Sequence, residues 1–232
     1  MQKDLHNILY DFGIKKCAIV CANVGNEKII LTFAQQLKNQ LIMLDLPQIL
    51  STRIPDLAAV YSGVRGRTLS SHHQDNAWNV MKAAGLKQVI DLRQDYKGDR
   101  YPETCEAYGI KYFHYPVNKG RDYIANMVKD FDVFCRLIDS GDFFISCAQG
   151  LHRTDIALST YWVFHGADIG KEPPVLVGYL KEKGLTSGKI IHVLNTFYEL
   201  STAQNGVPPM ALEVFEERKE VVKRICRQEG YL

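Results

Sequence analysis

The sequence predicts an α/β fold in which helices flank a central, mostly parallel sheet, with a helical part at the C-terminus. Short apolar strands alternate with helical patterns over residues 72–166, and this alternation is typical of parallel sheets. The strand predicted at 143–146 leads directly into a tight loop and a helix. Because ligands of parallel sheets bind where strands end, this loop is the first place to look for a site.

The N-terminal half of the chain mixes strand and helix patterns. Residues 15–24 and 28–33 are β-branched and apolar on either side of Gly25-Asn26, which predicts two strands. Helical spacing over 72–84 ends at Gly85, a residue type that commonly terminates a helix. The pattern then predicts a buried strand over 88–92, an exposed loop over 95–103, a short helix over 105–108 and a strand over 110–115.

The C-terminal half is mainly helical in pattern. Apolar residues recur at three- and four-residue spacing from Ile124 to Ile138, which predicts one amphipathic helix that ends near Ser140-Gly141. Proline commonly begins a helix, and Pro208-Pro209 is placed to begin the last one. The other predicted elements are a strand over 143–146, a loop over 147–153, and helices over 154–165, 173–182, 188–201 and 208–228.

Composition indicates one globular domain, since 232 residues with 46% hydrophobic and 23% charged residues can bury a core of ordinary size. The net charge of +2 gives no electrostatic reason to expect nucleic acid or an anionic membrane as a partner. We recognise no membrane span and no signal peptide in the sequence. Six cysteines without a dense framework favour a reducing, cytoplasmic setting.

The run from Ser146 to Thr154 carries the predicted chemistry. It places Cys147 and Arg153 six positions apart, with Gly150 between them. A strand, a tight loop and a helix N-terminus would surround the sulfur of Cys147 with backbone N–H groups, which attract anions and favour a thiolate. Arg153 could then bind two oxygens of a phosphate in bidentate fashion. The pattern predicts attack of a thiolate on a phosphate ester.

The same run resembles the C-x5-R signature of the cysteine-based protein tyrosine and dual-specificity phosphatases, and its form is closest to the small atypical dual-specificity phosphatases. Upstream, residues 89–93 (VIDLR) are similar to a strand of these domains, and residues 59–63 (AVYSG) resemble their first strand. The resemblance implies an appended N-terminal segment at 1–54, a cysteine phosphatase domain at 55–205 and a C-terminal helix at 206–232.

The resemblance also implies roles for individual residues of the run. Cys147 is the expected nucleophile, and Arg153 is expected to hold the phosphoryl group. Thr154 either donates a hydrogen bond to the thiolate or caps the following helix, and His152 either contacts the substrate or supports the loop. The residues expected to bind phosphate, mainly through backbone N–H groups, are Ala148, Gln149, Gly150, Leu151, His152 and Arg153.

Phosphatases of this kind require no metal and no organic cofactor, so the resemblance implies none here. The expected partner is a phosphorylated protein or a small phosphate monoester. The pattern does not separate phosphotyrosine from phosphoserine or phosphothreonine, and it does not predict an oligomeric state. Residues 147–153 hold no lysine, unlike the loops of the related phosphoinositide phosphatases, which argues against a highly phosphorylated inositol.

Two residues depart from the family pattern. Ser146 stands where these phosphatases usually have His, which removes one expected support of the thiolate. Asp155 stands where they usually have Gly, and a carboxylate beside an anion site is expected to weaken phosphate binding.

A general acid is needed because an alkoxide or phenoxide is a poor leaving group. In the resembling families, an Asp on a loop upstream of the Cys supplies the proton. Here that loop is 116–123, where Asn118 is nearest to the family position and cannot donate a proton usefully, while Asp122 is the only carboxylate. Asp122 is the predicted acid, unless it caps the following helix and the enzyme lacks a side-chain acid. Lys119 and Arg121 either contact an acidic substrate or are solvated loop charges.

Two other classes of function stay open. One is a catalytically weak pseudophosphatase, which Ser146 and Asp155 favour and the intact Cys147 and Arg153 oppose. The other is a rhodanese-like sulfurtransferase, which also uses a loop thiolate in an α/β domain, but the Gly-x-His-Arg-Thr ending speaks against it. Phosphate binding without turnover would identify the first, and thiocyanate formation from thiosulfate and cyanide would identify the second.

Overall fold

A computed structural model of the chain describes residues 44–52, 54, 56–69, 75–94, 100–174 and 187–228. These residues all belong to one compact unit, Met43–Leu232. The strands predicted over 15–24 and 28–33 lie outside the described residues, as do most of the helix predicted over 173–182 and most of the segment 1–54.

Strands and helices are interspersed up to β5, and the described elements after it are helical. In chain order they are α1 Leu46–Leu50, β1 Ala58–Val60, β2 Gly63–Arg67, α2 Asp75–Ala83, β3 Gln88–Asp91, α3 Tyr101–Ala107, β4 Lys111–His114, α4 Arg121–Lys129, α5 Phe131–Ser140, β5 Phe143–Cys147, α6 His152–Tyr161, α7 Ser187–Asn205 and α8 Leu212–Gln228. A π-helical turn, Trp162–Gly166, continues α6.

The sheet formed by the described residues has five strands, in the order β1-β2-β5-β3-β4. Only β1 is antiparallel to its neighbour, and the other three pairings are parallel. This arrangement confirms the predicted α/β fold with a mostly parallel sheet and a helical C-terminal part. Strand β5 lies in the centre, where Cys147 is paired with Arg67 of β2 and Ser146 is paired with Asp91 of β3.

Successive side chains of a strand point to opposite faces of the sheet, so the apolar strands present two apolar faces. Helices cover both of these faces. Ile145 and Cys147 of β5 belong to a core that the helices α4 to α8 complete, including Phe134, Leu158 and Phe197. Phe144 of β5 belongs to the second core, which includes residues of α1, α2 and α3 such as Ile49, Trp78 and Cys105. Among the described residues, no helix is long and apolar enough to cross a membrane.

Two sequence predictions were wrong about where elements divide. Residues 59–63 form no single strand, because Tyr61 adopts a left-handed conformation (φ 52°) and turns the chain from β1 into the antiparallel β2. The helix predicted from Ile124 to Ile138 is two helices that meet at Asp130, whose ψ of 9° departs from α-helical geometry. Because the apolar periodicity continues across Asp130, the sequence pattern does not reveal the break between the two helices.

Two helix starts also differ from the prediction. Helix α3 begins at Tyr101, inside the predicted loop 95–103, because proline at position 102 suits a first turn and the Tyr101 side chain is buried. Helix α8 begins at Leu212 rather than at Pro208-Pro209. The chain before it is held by Tyr198, whose hydroxyl donates a hydrogen bond to the Met210 carbonyl at 3.1 Å.

Candidate active site

Cys147 is the last residue of the central strand β5, all of whose residues are buried. Neighbouring strands hold this end on both sides, since the Thr68 N–H donates to the Cys147 carbonyl at 3.0 Å and the Leu92 N–H to the Ser146 carbonyl at 2.8 Å. The Cys147 residue is only 3% exposed. Its position is therefore set by the sheet rather than by the loop that follows.

The loop 147–153, which we call the Cys147 loop, turns tightly against β2. Gly150 has a left-handed backbone conformation (φ 69°), and its N–H donates to the Cys147 carbonyl at 3.0 Å. A Cβ at Gly150 would lie 2.2 Å from the carbonyl carbon of Gly66 and 2.5 Å from the backbone nitrogen of Arg67. Only glycine fits this turn in this position.

The Cys147 loop leaves several backbone donors available. Within the described part of the chain, the N–H groups of Ala148, Gln149, Leu151 and Arg153 have no backbone acceptor. The loop runs straight into α6, whose N-cap is Leu151 and has no side-chain capping bond. Consecutive N–H groups beside a helix N-terminus can bind an anion.

Arg153 is the second residue of α6 and is half-buried. One of its guanidinium nitrogens, Nη2, donates to Oε1 of Gln94 at 3.4 Å. The sequence pattern did not single out Gln94, which comes directly after the VIDLR strand motif. Since the two residues are 59 positions apart, only the sheet topology brings them together.

Asp155 does not present its charge to the loop, contrary to the expectation from the sequence. Its side chain is fully buried and forms an ion pair with Arg65 of β2, with Oδ1 and Nη1 2.5 Å apart. Arg65 is itself 1% exposed, and its Nη2 donates to the carbonyls of Gly150 at 3.0 Å and Leu151 at 3.2 Å. Reasoning from the sequence missed Arg65.

Ser146 faces the other side of the sheet and lies in a polar cluster. Its hydroxyl accepts a hydrogen bond from Thr68 Oγ1 at 3.3 Å and lies 3.5 Å from the hydroxyl of Tyr101. Burial raises the pKa of Tyr101 well above its usual value, so this phenol stays protonated. Ser146 thus takes part in hydrogen bonds behind the strand end, where the resembling families usually have His.

Asp91 and Arg93 form an ion pair at the end of β3. The Arg93 Nε lies 3.0 and 3.1 Å from the two carboxylate oxygens of Asp91, and Nη2 lies 2.7 Å from one of them. The hydroxyl of Tyr112 also donates to Asp91, at 3.0 Å, and the Arg93 guanidinium lies 5.0 Å from the centre of the Tyr101 ring. These contacts fix the end of β3 beside the Cys147 loop.

Thr154 does not cap α6, because the N-cap is Leu151 and Thr154 is the third helical residue. Its side chain is fully buried, and its hydroxyl has no hydrogen-bond partner among the described residues. A buried hydroxyl without a partner is unusual in proteins. The hydroxyl is thus available for the other predicted role, a hydrogen bond to the thiolate.

The loop that holds the predicted acid runs along the same edge of the sheet. Its path is set by the Tyr115 N–H, which donates to the Asp91 carbonyl at 2.9 Å, and by the Val117 N–H, which donates to the Leu92 carbonyl at 3.2 Å. Asp122 lies on the exposed surface in the first turn of α4 and makes no hydrogen bond or ion pair with another described residue. The N-cap of α4 is Gly120, so the capping alternative for Asp122 is wrong.

The other polar residues of this loop, Asn118, Lys119 and Arg121, each make a contact within the loop or with α7. The Asn118 side-chain oxygen accepts a hydrogen bond from the Lys119 N–H at 2.6 Å. The Lys119 carbonyl lies 3.2 Å from Nε2 of His192 on α7. Arg121 forms an exposed ion pair with Glu199, with the charged atoms 3.8 Å apart. Arg121 is thus engaged with α7, and the side chain of Lys119 is exposed.

Four cysteines in the described residues, Cys105, Cys135, Cys147 and Cys226, are free thiols. Burial raises the pKa of Cys135 well above its usual value and that of Cys226 to about 11. Neither thiol is therefore poised to react. No group of three or more His, Cys, Asp or Glu residues in the described ranges is arranged to hold a metal ion.

No protein-family model matches the chain, and no curated protein matches it. It is similar to solved structures of phosphatases. One is the phosphatase domain of Yvh1 from Chaetomium thermophilum, with 14% identity, a TM-score of 0.36, and 75% of this chain and 97% of that one covered. Another is the core catalytic domain of the PP-IP phosphatase SIW14 from S. cerevisiae, with 12% identity, a TM-score of 0.39, and 78% and 98% covered.

A third similar structure is that of human DUSP28, with 11% identity, a TM-score of 0.34, and 75% of this chain and 99% of that one covered. The fold class given above follows from the strand order of this chain.

Proposed function

We propose that this protein is a metal-independent phosphatase that hydrolyses phosphate monoesters, of phosphotyrosine or of phosphoserine and phosphothreonine, through a cysteinyl-phosphate intermediate. One observation carries the proposal. Cys147 ends the central strand and is followed by a loop of available N–H donors, after which Arg153 lies in the first turn of a helix. This arrangement combines a nucleophile with donors for an oxyanion.

In the first step, the Cys147 thiolate attacks phosphorus, so that an S–P bond forms and the P–O bond to the leaving group breaks. The N–H groups of the loop and the guanidinium of Arg153 bind the non-bridging phosphoryl oxygens. Such donors accelerate the reaction when they bind the transition state more tightly than the substrate. Asp122 protonates the leaving oxygen as the bond breaks.

In the second step, water attacks the phosphorus of the cysteinyl phosphate and the S–P bond breaks. Asp122, now ionised, accepts a proton from this water, and inorganic phosphate leaves. Thr154 donates a hydrogen bond to the departing thiolate, which makes the sulfur a better leaving group. The Thr154 hydroxyl is buried and makes no hydrogen bond to a described residue, so the thiolate is the acceptor that the proposal assigns to it.

The position of Asp122 favours a second candidate, a protein that binds phosphate with little turnover. Asp122 is exposed on α4, and no described residue holds it toward Cys147. If Asp122 does not reach the leaving group, esters with poor leaving groups will not be cleaved. Activated aryl esters, which need no protonation, would still react with the thiolate.

The test is hydrolysis of para-nitrophenyl phosphate in the presence of a metal chelator. We expect turnover by the wild type and none by Cys147→Ser, whose hydroxyl is a much weaker nucleophile. Cys135→Ser is the matched control, because Cys135 is a buried thiol on α5 and is expected to leave turnover unchanged. Because para-nitrophenyl phosphate has an activated leaving group, turnover of this ester without turnover of phenyl phosphate, whose leaving oxygen needs a proton, would favour the second candidate.

A further inference from the structure

We propose that Arg65 and Asp155 form a positioning pair that holds the Cys147 loop in its anion-binding conformation. The inference rests on the proposed function, because it concerns the same loop. Neither residue belongs to the signature that the sequence shares with the phosphatases. In this role they act through the loop and not directly on the thiol or the substrate.

Three contacts of Arg65 are directed at the loop and the start of α6. Nη2 donates to two consecutive carbonyls, those of Gly150 and Leu151, at 3.0 and 3.2 Å. Nη1 forms the ion pair with Asp155 at 2.5 Å. Arg65 thus connects the strand beside β5 with the turn of the loop and with α6.

Holding two carbonyls fixes the direction of two N–H groups. In a planar trans peptide, the C=O and the N–H of the same unit point in opposite directions. The Gly150 carbonyl shares its peptide with the Leu151 N–H, and the Leu151 carbonyl shares its peptide with the His152 N–H. Because both carbonyls point to Arg65, both N–H groups point away from it.

Asp155 offsets the energetic cost of burying the guanidinium of Arg65 beside the loop. Arg65 is 1% exposed, and a buried charge requires a partner. Asp155 supplies the opposite charge, and its own N–H donates to the Leu151 carbonyl at 2.8 Å. The carboxylate that departs from the family pattern is therefore the counter-charge of the residue that shapes the loop.

The first experiment compares Arg65→Lys with Arg218→Lys. Lysine keeps the charge for Asp155 but lacks the planar fork that reaches two carbonyls and a carboxylate together. Arg218 is the matched control, because it also donates to a carbonyl, that of Val163 at 2.7 Å, and pairs with a carboxylate, that of Asp168. It joins α8 to the π-helical turn, which continues the end of α6 that lies away from the loop.

Two readouts report on the loop without requiring turnover. One is the dissociation constant for vanadate, and the other is the rate at which iodoacetamide alkylates Cys147, measured by peptide mass spectrometry. For Arg65→Lys we expect vanadate binding to weaken by about tenfold or more, the equivalent of one lost hydrogen bond to a charged group. We also expect slower alkylation of Cys147, while Arg218→Lys leaves both unchanged.

The second experiment separates positioning from stability by removing both charges, in Arg65→Met/Asp155→Leu. Replacing a buried ion pair by apolar side chains often preserves stability. We expect this variant to fold, to bind vanadate at least about tenfold more weakly and to alkylate slowly. Wild-type vanadate affinity and alkylation in either folded variant would overturn the proposal.

The two proposals fail in different ways. If the wild type binds vanadate but does not turn over substrate, the enzymatic function fails and the effect of Arg65 on binding is still measured. If the wild type does not bind vanadate, the alkylation rate of Cys147 still tests the loop. Equal alkylation rates in wild type and both variants would then refute the positioning role.

Discussion

At the scale of single residues, Gly150 determines whether the Cys147 loop can close against β2. A side chain there would meet the backbone of Gly66 and Arg67 rather than a movable side chain. Gly170 offers a matched comparison, because it shares the left-handed conformation (φ 74°) and a Cβ added there would meet nothing within 4 Å. Alanine at either position would suffer the strain of a left-handed backbone, but only alanine at Gly150 would also collide with neighbouring atoms.

We expect Gly150→Ala to lose vanadate binding by at least about tenfold, because the loop must move away from β2. Gly170→Ala should cost only the strain of a left-handed alanine, about 1 kcal/mol, and leave binding unchanged. Isothermal titration and chemical unfolding of both variants measure this. Equal vanadate affinity in Gly150→Ala and wild type would show that the turn does not shape the site.

A second prediction at this scale concerns Arg153. Replacing it by lysine removes bidentate binding of the phosphoryl oxygens while keeping the charge. We expect kcat/KM for para-nitrophenyl phosphate to fall about a hundredfold or more, since oxyanion contacts strengthen in the transition state. Arg136→Lys, on the exposed surface of α5, is the control, and a similar loss in that variant would show that the effect is not specific to Arg153.

The sequence could single out Cys147 and Arg153 as candidates because the pattern of a strand-to-helix loop is encoded within nine consecutive residues. Arg65 and Gln94 were not predictable in this way. Arg65 bonds to residues 85 and 86 positions away, and Gln94 to a residue 59 positions away. Which strand lies beside β5, and in which register, is decided by the whole sheet.

At the scale of elements, the pattern of apolar residues predicted where helices and strands occur better than where they end. Helices α2 and α7 and strands β3, β4 and β5 match the predicted elements to within a few residues. The break at Asp130 and the turn at Tyr61 were missed because both are backbone events within a continuous apolar pattern. Such breaks follow from packing against residues that are distant along the chain, which the local sequence does not reveal.

Asp139 at the end of α5 ties this helix to α6 and to the chain beyond it. It accepts hydrogen bonds from Tyr161 at 2.5 Å and Lys171 at 3.0 Å, and it pairs with His165 at 2.7 Å. Partial burial raises the pKa of Asp139, but these hydrogen bonds outweigh it, and the pKa lies below its usual value. The ionised form therefore stabilises the fold.

We expect Asp139→Asn to lower the free energy of unfolding by about 1 kcal/mol at neutral pH, through the lost charged hydrogen bonds. A depressed carboxyl pKa gives stability that is present above the unfolded pKa of 3.8 and is lost as the pH falls through the native value. The difference between variant and wild type should thus narrow below pH 4, roughly. Urea unfolding against pH measures it.

Asp132→Asn is the control for this prediction, because Asp132 is an exposed carboxylate of the same helix without a bonding partner among the described residues. The free energy of unfolding of Asp132→Asn should differ little from that of the wild type at any pH. A constant difference between Asp139→Asn and wild type across the acid range would contradict the role assigned to the ionised carboxylate.

At the scale of the whole molecule, two cores on opposite faces hold the sheet and its central strand. Leu44, Ile49 and Ile54 are buried in the second core, together with Trp78 and Phe144. The division of the chain at 54 and 55 stays a prediction. The described part of the N-terminal segment nevertheless packs into the same core as the strand that carries Cys147.

This packing makes the division testable by truncation. We expect a chain of residues 55–232 to be less stable than one of residues 43–232, because it lacks three core side chains. Each fully buried Leu or Ile contributes about 1.5–3 kcal/mol, so the loss should be several kcal/mol. Denaturant unfolding of the two chains decides this, and equal midpoints would support a boundary at residue 55.

The most direct test of the mechanism is to trap the enzyme during turnover of radiolabelled phosphate ester, by rapid quenching, and to map the labelled peptide. A thiol mechanism predicts a phosphate label on the peptide that contains Cys147, absent from Cys147→Ser. Turnover that persists in Cys147→Ser, or a label on another residue, would contradict the proposal that the Cys147 thiolate attacks phosphorus.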